Sequence, residues 1–229
     1  KGFTSRDDAI EGENGFAATQ AEGFVHLPVY PKSNGRFAVE ENLFKYHAAC
    51  YLTHAGIDAL RKVKEEVGIK PEDVVAVREH VPGTHFTVCN IPEPKTGLEI
   101  KFSMRHTAAM VLSGIDTGAM GSYSDEAANR NDLVALRDKV EIVAKKLDSR
   151  MQAEVVVDLV DGRSIIGRAD VGVPEADVDL QERRLSEKFR ALVVPVIGEE
   201  RANQALQACL MLDQLDDASR IFDAVTGEV

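Results

Sequence analysis

LTHAGIDALRKVKEEVGIKPEDVVAVREHV (residues 52–81) sets a helix, a helix stop and a strand in direct succession. Leu52, Gly56, Leu60, Val63 and Val67 recur at spacings of three and four, which draws one apolar stripe along a helix. Gly68 suits the residue just past a helix end, and Pro71 lies beyond it. Residues 72–81, EDVVAVREHV, are rich in β-branched side chains and read as a strand.

Working outward, the same alternation of element types continues. NIPEPKTG (90–97) is a proline-punctuated loop, and LEIKFSMRHTAAMVLSG (98–114) reads as a mostly buried helix ending at a glycine. DEAANRNDLVALRDK (125–139) patterns as a helix, and KVEIVAK (139–145) alternates as a strand. EVVVDLVDGRSIIGRA (154–169) carries two β-branched runs joined by Asp161-Gly162, the pair favoured in a type I′ hairpin turn. From Asp177 the pattern becomes helical: Leu185, Phe189 and Leu192 space a helix stopping near Pro195, and two more follow at 198–212 and 216–225. HLPVYPKSNG (26–35) is extended or turning chain and marks a boundary. The fold class is α+β, with an α+β middle between a weakly patterned start and a helical tail.

The 229 residues are 44% hydrophobic and 28% charged, enough for a true core and far from a disordered composition. A net charge of −11 argues against nucleic acid as a partner, yet leaves room for a local cationic site for a small anion. No apolar run approaches the ~20 residues of a membrane span, so no membrane partner is expected. Cys50, Cys89 and Cys209 show neither CxxC nor Cys/His metal spacing. They suit a reducing, cytoplasmic compartment, with no metal and no cofactor expected. Phosphate-cradling glycine loops, HExxH and GxSxG are absent.

The candidate chemistry is histidine, lysine and arginine. On helical geometry His54 sits opposite the Leu52 stripe, sharing its side with Asp58, Arg61 and Glu65. It is either one member of a solvated face paired i,i+4 with Asp58, or, if another layer covers that face, a general acid or base oriented by Asp58. His106 is a core histidine or a proton donor flanked by Lys101 and Arg105, themselves surface charges or anion ligands. Lys45 and Tyr46 precede the helix, where a lysine makes a locally positive spot or is merely solvated. His26, His80 and His85 sit in turn or strand–loop contexts without further pattern.

Several stretches together resemble one family. KYHAACYLTHAGIDA (45–59) is similar to the K-x-Y-x-x-C-x-x-T-H-x-x-I-D-A segment of the MmgE/PrpD family, the 2-methylcitrate dehydratase-like proteins. KFSMRHTAAMVLSG resembles that family's FS-x-x-Y…A…L-x-G helix, and GFTSRDDAIEGENGF its GFTGP…EG…GF run. VVVDLVDGRSIIGR, LSEKFRAL and ANQAL…LDQLDD resemble its hairpin and closing helices.

The resemblance implies residues 1–30 as the end of a helical domain, 31–176 as an α+β lid-type domain and 177–229 as a returning helical segment. It also implies that this chain is only part of the full enzyme. The implied activity is metal-independent lyase or isomerase chemistry on a small polycarboxylate: dehydration of 2-methylcitrate, decarboxylation of cis-aconitate or epimerisation of iminodisuccinate. His54, at the family's T-H position, and His106, where many members have Tyr, become the implied catalytic groups, with Asp58 orienting His54. Lys45, Tyr46, Lys101 and Arg105 become substrate-binding residues. A homo-oligomer is implied. The alternative is a non-catalytic module of the same fold that mediates oligomerisation or binds metabolites.

Overall fold

The computed structural model describes residues 7–10, 12, 13, 15–20 and 38–226. The expected boundary at 26–35 lies outside them. Contacts divide the chain into two units, Lys1–Asn42 and Leu43–Val229. In the first unit Phe16–Gln20 forms a short helix, α1.

In the second unit His54–Val67 is α2, Val74–Val81 is β1, Gly97–Ile100 is α3 and Met104–Leu112 is α4. Asp125–Asn129 (α5), Asn131–Arg137 (α6), Val140–Ala144 (β2), Gln152–Leu159 (β3) and Ser164–Asp170 (β4) follow. Val178–Ile197 (α7), Glu199–Leu210 (α8) and Ser219–Thr226 (α9) complete it. The strands form one mixed sheet in the order β2-β1-β3-β4. β1 pairs parallel with β2 and antiparallel with β3, so the β1–β2 connection must cross over, and α3 to α6 are carried in it.

Among the described residues α2 and α4 pack on one face of this sheet, which gives the two-layer build of an α+β domain. Val77, Val81, Val155 and Val157 point into the core under α2 and α4, while Arg78 meets Asp158 at 2.8 Å on the other face. Gly68 closes α2 as expected: at φ 72° it turns left-handed, and its N–H reaches the Lys64 carbonyl.

Four local readings change. The 98–114 stretch breaks in two because the Ser103 hydroxyl caps α4, accepting from His106 N–H while donating to the Ile91 carbonyl. The 125–139 stretch breaks at Arg130, whose backbone is extended. The hairpin loop is three residues long, not two. Gly162 N–H bonds the Leu159 carbonyl and Leu159 N–H bonds the Arg163 carbonyl, with Gly162 at φ 86° in the position a bulged turn requires. α7 runs through Pro195 and stops at Gly198, since a proline in the last turn removes one helical hydrogen bond without ending the helix. His85 is fully buried, with Nε2 2.9 Å from the Arg150 carbonyl, which pins the loop after β1 to the one before β3.

α2 sits closely on the sheet at two glycines. A Cβ on Gly167 of β4 would lie 2.4 Å from Val63 Cγ2 and 2.7 Å from the Ala59 carbonyl oxygen. A Cβ on Gly56 would lie 2.0 Å from Oε1 of Glu79, a core-facing carboxyl on β1 that is only 2% exposed. Burial pushes the Glu79 pKa up to about 8, against the pull of Arg105.

Gly167→Ala is expected to cost about 1–3 kcal/mol through overpacking, read as a lower urea midpoint, while Gly83→Ala, which meets nothing within 4 Å, leaves the midpoint unchanged. Glu79 keeps a proton that the unfolded chain has released, so its contribution to stability falls as pH rises from about 4.5 to about 8. Glu79→Gln should remove that decline, with a gain on the order of 4 kcal/mol at pH 8 that shrinks toward pH 5. Denaturation at both pH values checks this.

Candidate functional site

The site is built where the segment before α2 crosses the start of that helix. Ala48 N–H bonds the Thr117 carbonyl and Cys50 N–H the Lys101 carbonyl, which straps residues 46–50 against the chain around α4. The strap turns the His47 ring inward. Its Nε2 lies 3.0 Å from Asp58 Oδ1, and its Nδ1 lies 2.8 Å from the Thr117 hydroxyl.

Asp58 has a second partner. Arg184 Nη2, from α7, sits 3.1 Å and 3.3 Å from its two oxygens. The Arg184 guanidinium also covers the Tyr46 ring, 3.7 Å from its centroid. One turn later Lys188 donates to the Lys45 carbonyl. One carboxylate thus ties together α2, the strap and α7, and Thr117 adds the chain after α4.

Burial opposes ionisation of Asp58, but the hydrogen bond and charge of His47 and the Arg184 guanidinium hold its pKa below the usual carboxylate value. Burial lowers the His47 pKa, outweighing Asp58. The pair therefore rests as a neutral imidazole donating from Nε2 to a carboxylate whose counter-charge is Arg184. Nδ1 then accepts from Thr117. The order Thr–His–Asp is that of a hydrolytic relay, but the Thr117 side chain is fully buried and does not line the cleft described below.

His54 lies behind His47. It is 1% exposed, packed edge-on against His47 at 4.8 Å between centroids and tilted against Tyr51 at 4.9 Å. The Ala49 carbonyl meets its ring, and Nε2 has no hydrogen-bond partner among the described residues. Burial pushes its pKa down to about 3, with His47 adding to the fall and Asp58 opposing it. The solvated-face reading of His54 is therefore replaced by a covered one, because the strap forms the extra layer. The carboxylate one turn away is bonded to His47, not to His54.

In front of His47 opens a cleft of about 320 Å³, within the range of small-molecule sites. Tyr46, His47, Arg61, Asp116, Arg184 and Lys188 line it. Of the residues singled out from the sequence, Tyr46 lines this cleft, Asp58 and His54 stand behind its wall, and Lys45 meets Lys188 through its carbonyl.

His106, Lys101 and Arg105 lie elsewhere. His106 is fully buried, and among the described residues neither ring nitrogen has a well-formed hydrogen bond. Burial, then Arg137 and Arg130, push its pKa down to about 4. Lys101 lies 5.5 Å above the Tyr123 ring, and Arg105 bonds Asn90 at 2.6 Å. Sequence reasoning missed His47, Thr117, Arg184 and Lys188, and placed Arg61 only on the His54 side of the helix. Lys188 sits inside the LSEKFRAL motif, but nothing local marks Arg184 as the partner of a residue 126 positions away. Among the described residues no cluster of three or more His, Cys, Asp or Glu is arranged to hold a metal ion. No described helix is long and apolar enough to cross a membrane.

Residues 47–212 match the MmgE/PrpD C-terminal domain. The chain belongs to the MmgE/PrpD family. The matched span holds His47, Asp58, Arg61, Arg184 and Lys188, and starts just after Lys45 and Tyr46. This MmgE/PrpD chain is 25% identical over 237 residues to the cis-aconitate decarboxylase of Homo sapiens, an alignment covering 99% of the chain and 48% of that relative. The chain spans about half the length of the curated relative it matches.

Asp58→Asn should release both Arg184 and His47 and cost about 1–3 kcal/mol, while Lys62→Gln, on an exposed pair of the same helix, should be neutral. In NMR titrations the His54 ring signals should stay flat from pH 8 to pH 5, because its folded pKa lies near 3. A titration midpoint near 6.5 would show that the ring is solvated.

Proposed function

We propose that the cleft is the lid-type half of a site for a small polycarboxylate, on which the full enzyme carries out a lyase reaction by proton transfer at a carbon beside a carboxylate. The observation that carries this is the cluster of three cationic side chains, Arg61, Arg184 and Lys188, lining one cleft of a protein with net charge −11, with a neutral histidine at its wall. Cationic forks and ammonium groups are what hold carboxylates in place. Family membership and the decarboxylase relative support the same substrate class.

Dehydration, decarboxylation and epimerisation each add or remove a proton on a carbon next to a carboxylate, so each needs the same groups. We assign the proton transfer to His54, which does not line the cleft and which a substrate reaches only when the wall formed by His47 and Tyr51 opens. Both ring nitrogens of His47 are engaged, whereas His54 keeps a free Nε2 lone pair and is neutral at physiological pH. A bound carboxylate would raise its pKa toward a useful range, because a nearby negative charge favours the imidazolium. Asp58 and His47 are positioning residues that hold the wall against which His54 packs. Lys45 and Tyr46 contribute to holding the acid. The same reading places the protein as a homo-oligomer in the cytoplasm, consistent with three cysteines that form no disulfide.

Proton NMR in D₂O with cis-aconitate, 2-methylcitrate and iminodisuccinate follows water loss, CO₂ loss, epimerisation and deuterium exchange together. One of the three should be turned over by the protein. His54→Gln should lower kcat by roughly 10²- to 10⁴-fold with KM changed only a few-fold. Unchanged turnover in that variant would remove His54 from the mechanism. Binding without turnover by the complete protein would instead favour a metabolite-binding module.

A further inference from the structure

We propose that Arg61 is the specificity residue of this site, reading a second carboxylate at the junction of two chambers, so that the site prefers tricarboxylates to dicarboxylates. The inference rests on the polycarboxylate reading above and deepens it.

The cleft does not end at Arg61 and Asp116. Both side chains also line a second cavity of about 600 Å³, where the C-terminal ends of α2 and α4 meet. Its wall adds Lys64, Glu65, Val111 and Ile115. The two spaces thus share a wall made of one arginine and one aspartate.

The cations around these chambers differ in what already holds them. Arg184 is bonded to both oxygens of Asp58 and stacked on Tyr46. Lys188 donates to the Lys45 carbonyl, and Lys64 donates to the Val111 carbonyl at 2.9 Å. Arg61 is half-buried, yet among the described residues it has no hydrogen bond and no ion pair. Glu65 and Asp116 line the same spaces without reaching it, and Asp116 Oδ1 is taken by the Gly118 N–H at 2.7 Å.

A guanidinium is always charged and presents its donors as a planar fork that fits a carboxylate. Removing it partly from water without an acceptor is costly, and a ligand carboxylate would supply that acceptor. Arg61 lines the first chamber beside His47 and the second beside Lys64, and its charge is felt by both, so it faces both chambers. The acids Asp116, Glu187 and Glu65 restrict where a carboxylate can lie, since like charges repel, and leave the Arg61 fork as the favoured point between the chambers.

The test is calorimetric binding to the complete protein with unreactive probes: propane-1,2,3-tricarboxylate, succinate and propionate. The tricarboxylate should bind the unmodified protein at least tenfold tighter than succinate. Arg61→Gln should weaken tricarboxylate binding roughly 10- to 100-fold and succinate binding less than threefold, so that the two become alike. Arg61→Lys should recover only part of the preference, because an ammonium lacks the fork. Lys62→Gln, on the exposed side of α2, should change nothing. Equal loss for both acids, or no loss, with binding intact in the unmodified protein, would overturn the role of Arg61 and leave the polycarboxylate reading standing. If none of the probes binds the unmodified protein, both readings fall.

Discussion

The carboxylate of Asp58 is the constraint on which the candidate site depends. It sits on the second turn of α2 and accepts from His47 on one side and Arg184 on the other. A partly buried charge is costly unless it is matched, and here the matching charge is Arg184, 126 residues away, while the neutral His47 ring adds a hydrogen bond. Holding His47 fixes the strap, the strap covers His54, and holding Arg184 fixes α7 over Tyr46. The neutral state of both histidines is a consequence of that closure.

The helix that carries Asp58 is itself placed by close packing. Gly167 lets α2 approach β4, and Gly56 makes room for the Glu79 carboxyl. These contacts act in opposite senses. The first is tight apolar packing, which interiors favour. The second keeps an acid in the core, protonated at the expense of stability above its ordinary pKa. Among the described residues Glu79 has no hydrogen bond to His54 and does not line the cleft, and its charged neighbour is Arg105. Arg105, Lys101 and His106 lie on and just before α4, outside the lining of the cationic cleft.

The electrostatics of the cleft also explain how an acidic protein presents an anion site. The net charge is spread over the surface, where water screens it. At the cleft, Arg61, Arg184 and Lys188 converge from α2 and α7, two helices joined by the Asp58–Arg184 pair and, through Lys188, by the strap. A small ligand responds to this local arrangement more than to the overall charge.

Much of the architecture was legible in the residues themselves. The apolar spacing of Leu52 to Val67, the Gly68 stop, the alternation of β1 and the Asp161-Gly162 turn are local signals, because backbone geometry and side-chain period act over a few residues. Ser103 broke a helix that pattern alone joined, since a capping hydroxyl competes locally with the helix and periodicity does not register it, and an extended backbone at Arg130 broke another without a side-chain cap. Lys45, Tyr46, His54 and Asp58 were recognisable as a group because they fall within one short stretch. What only the tertiary structure decided is which of them meet. His47 took the aspartate that helical spacing offers to His54, and Arg184 arrived from 126 residues away to complete it. Sequence determines periods and stops, which are one-dimensional. Pairing of buried charges depends on which surfaces the folded chain presses together, and that is settled by packing across the whole domain.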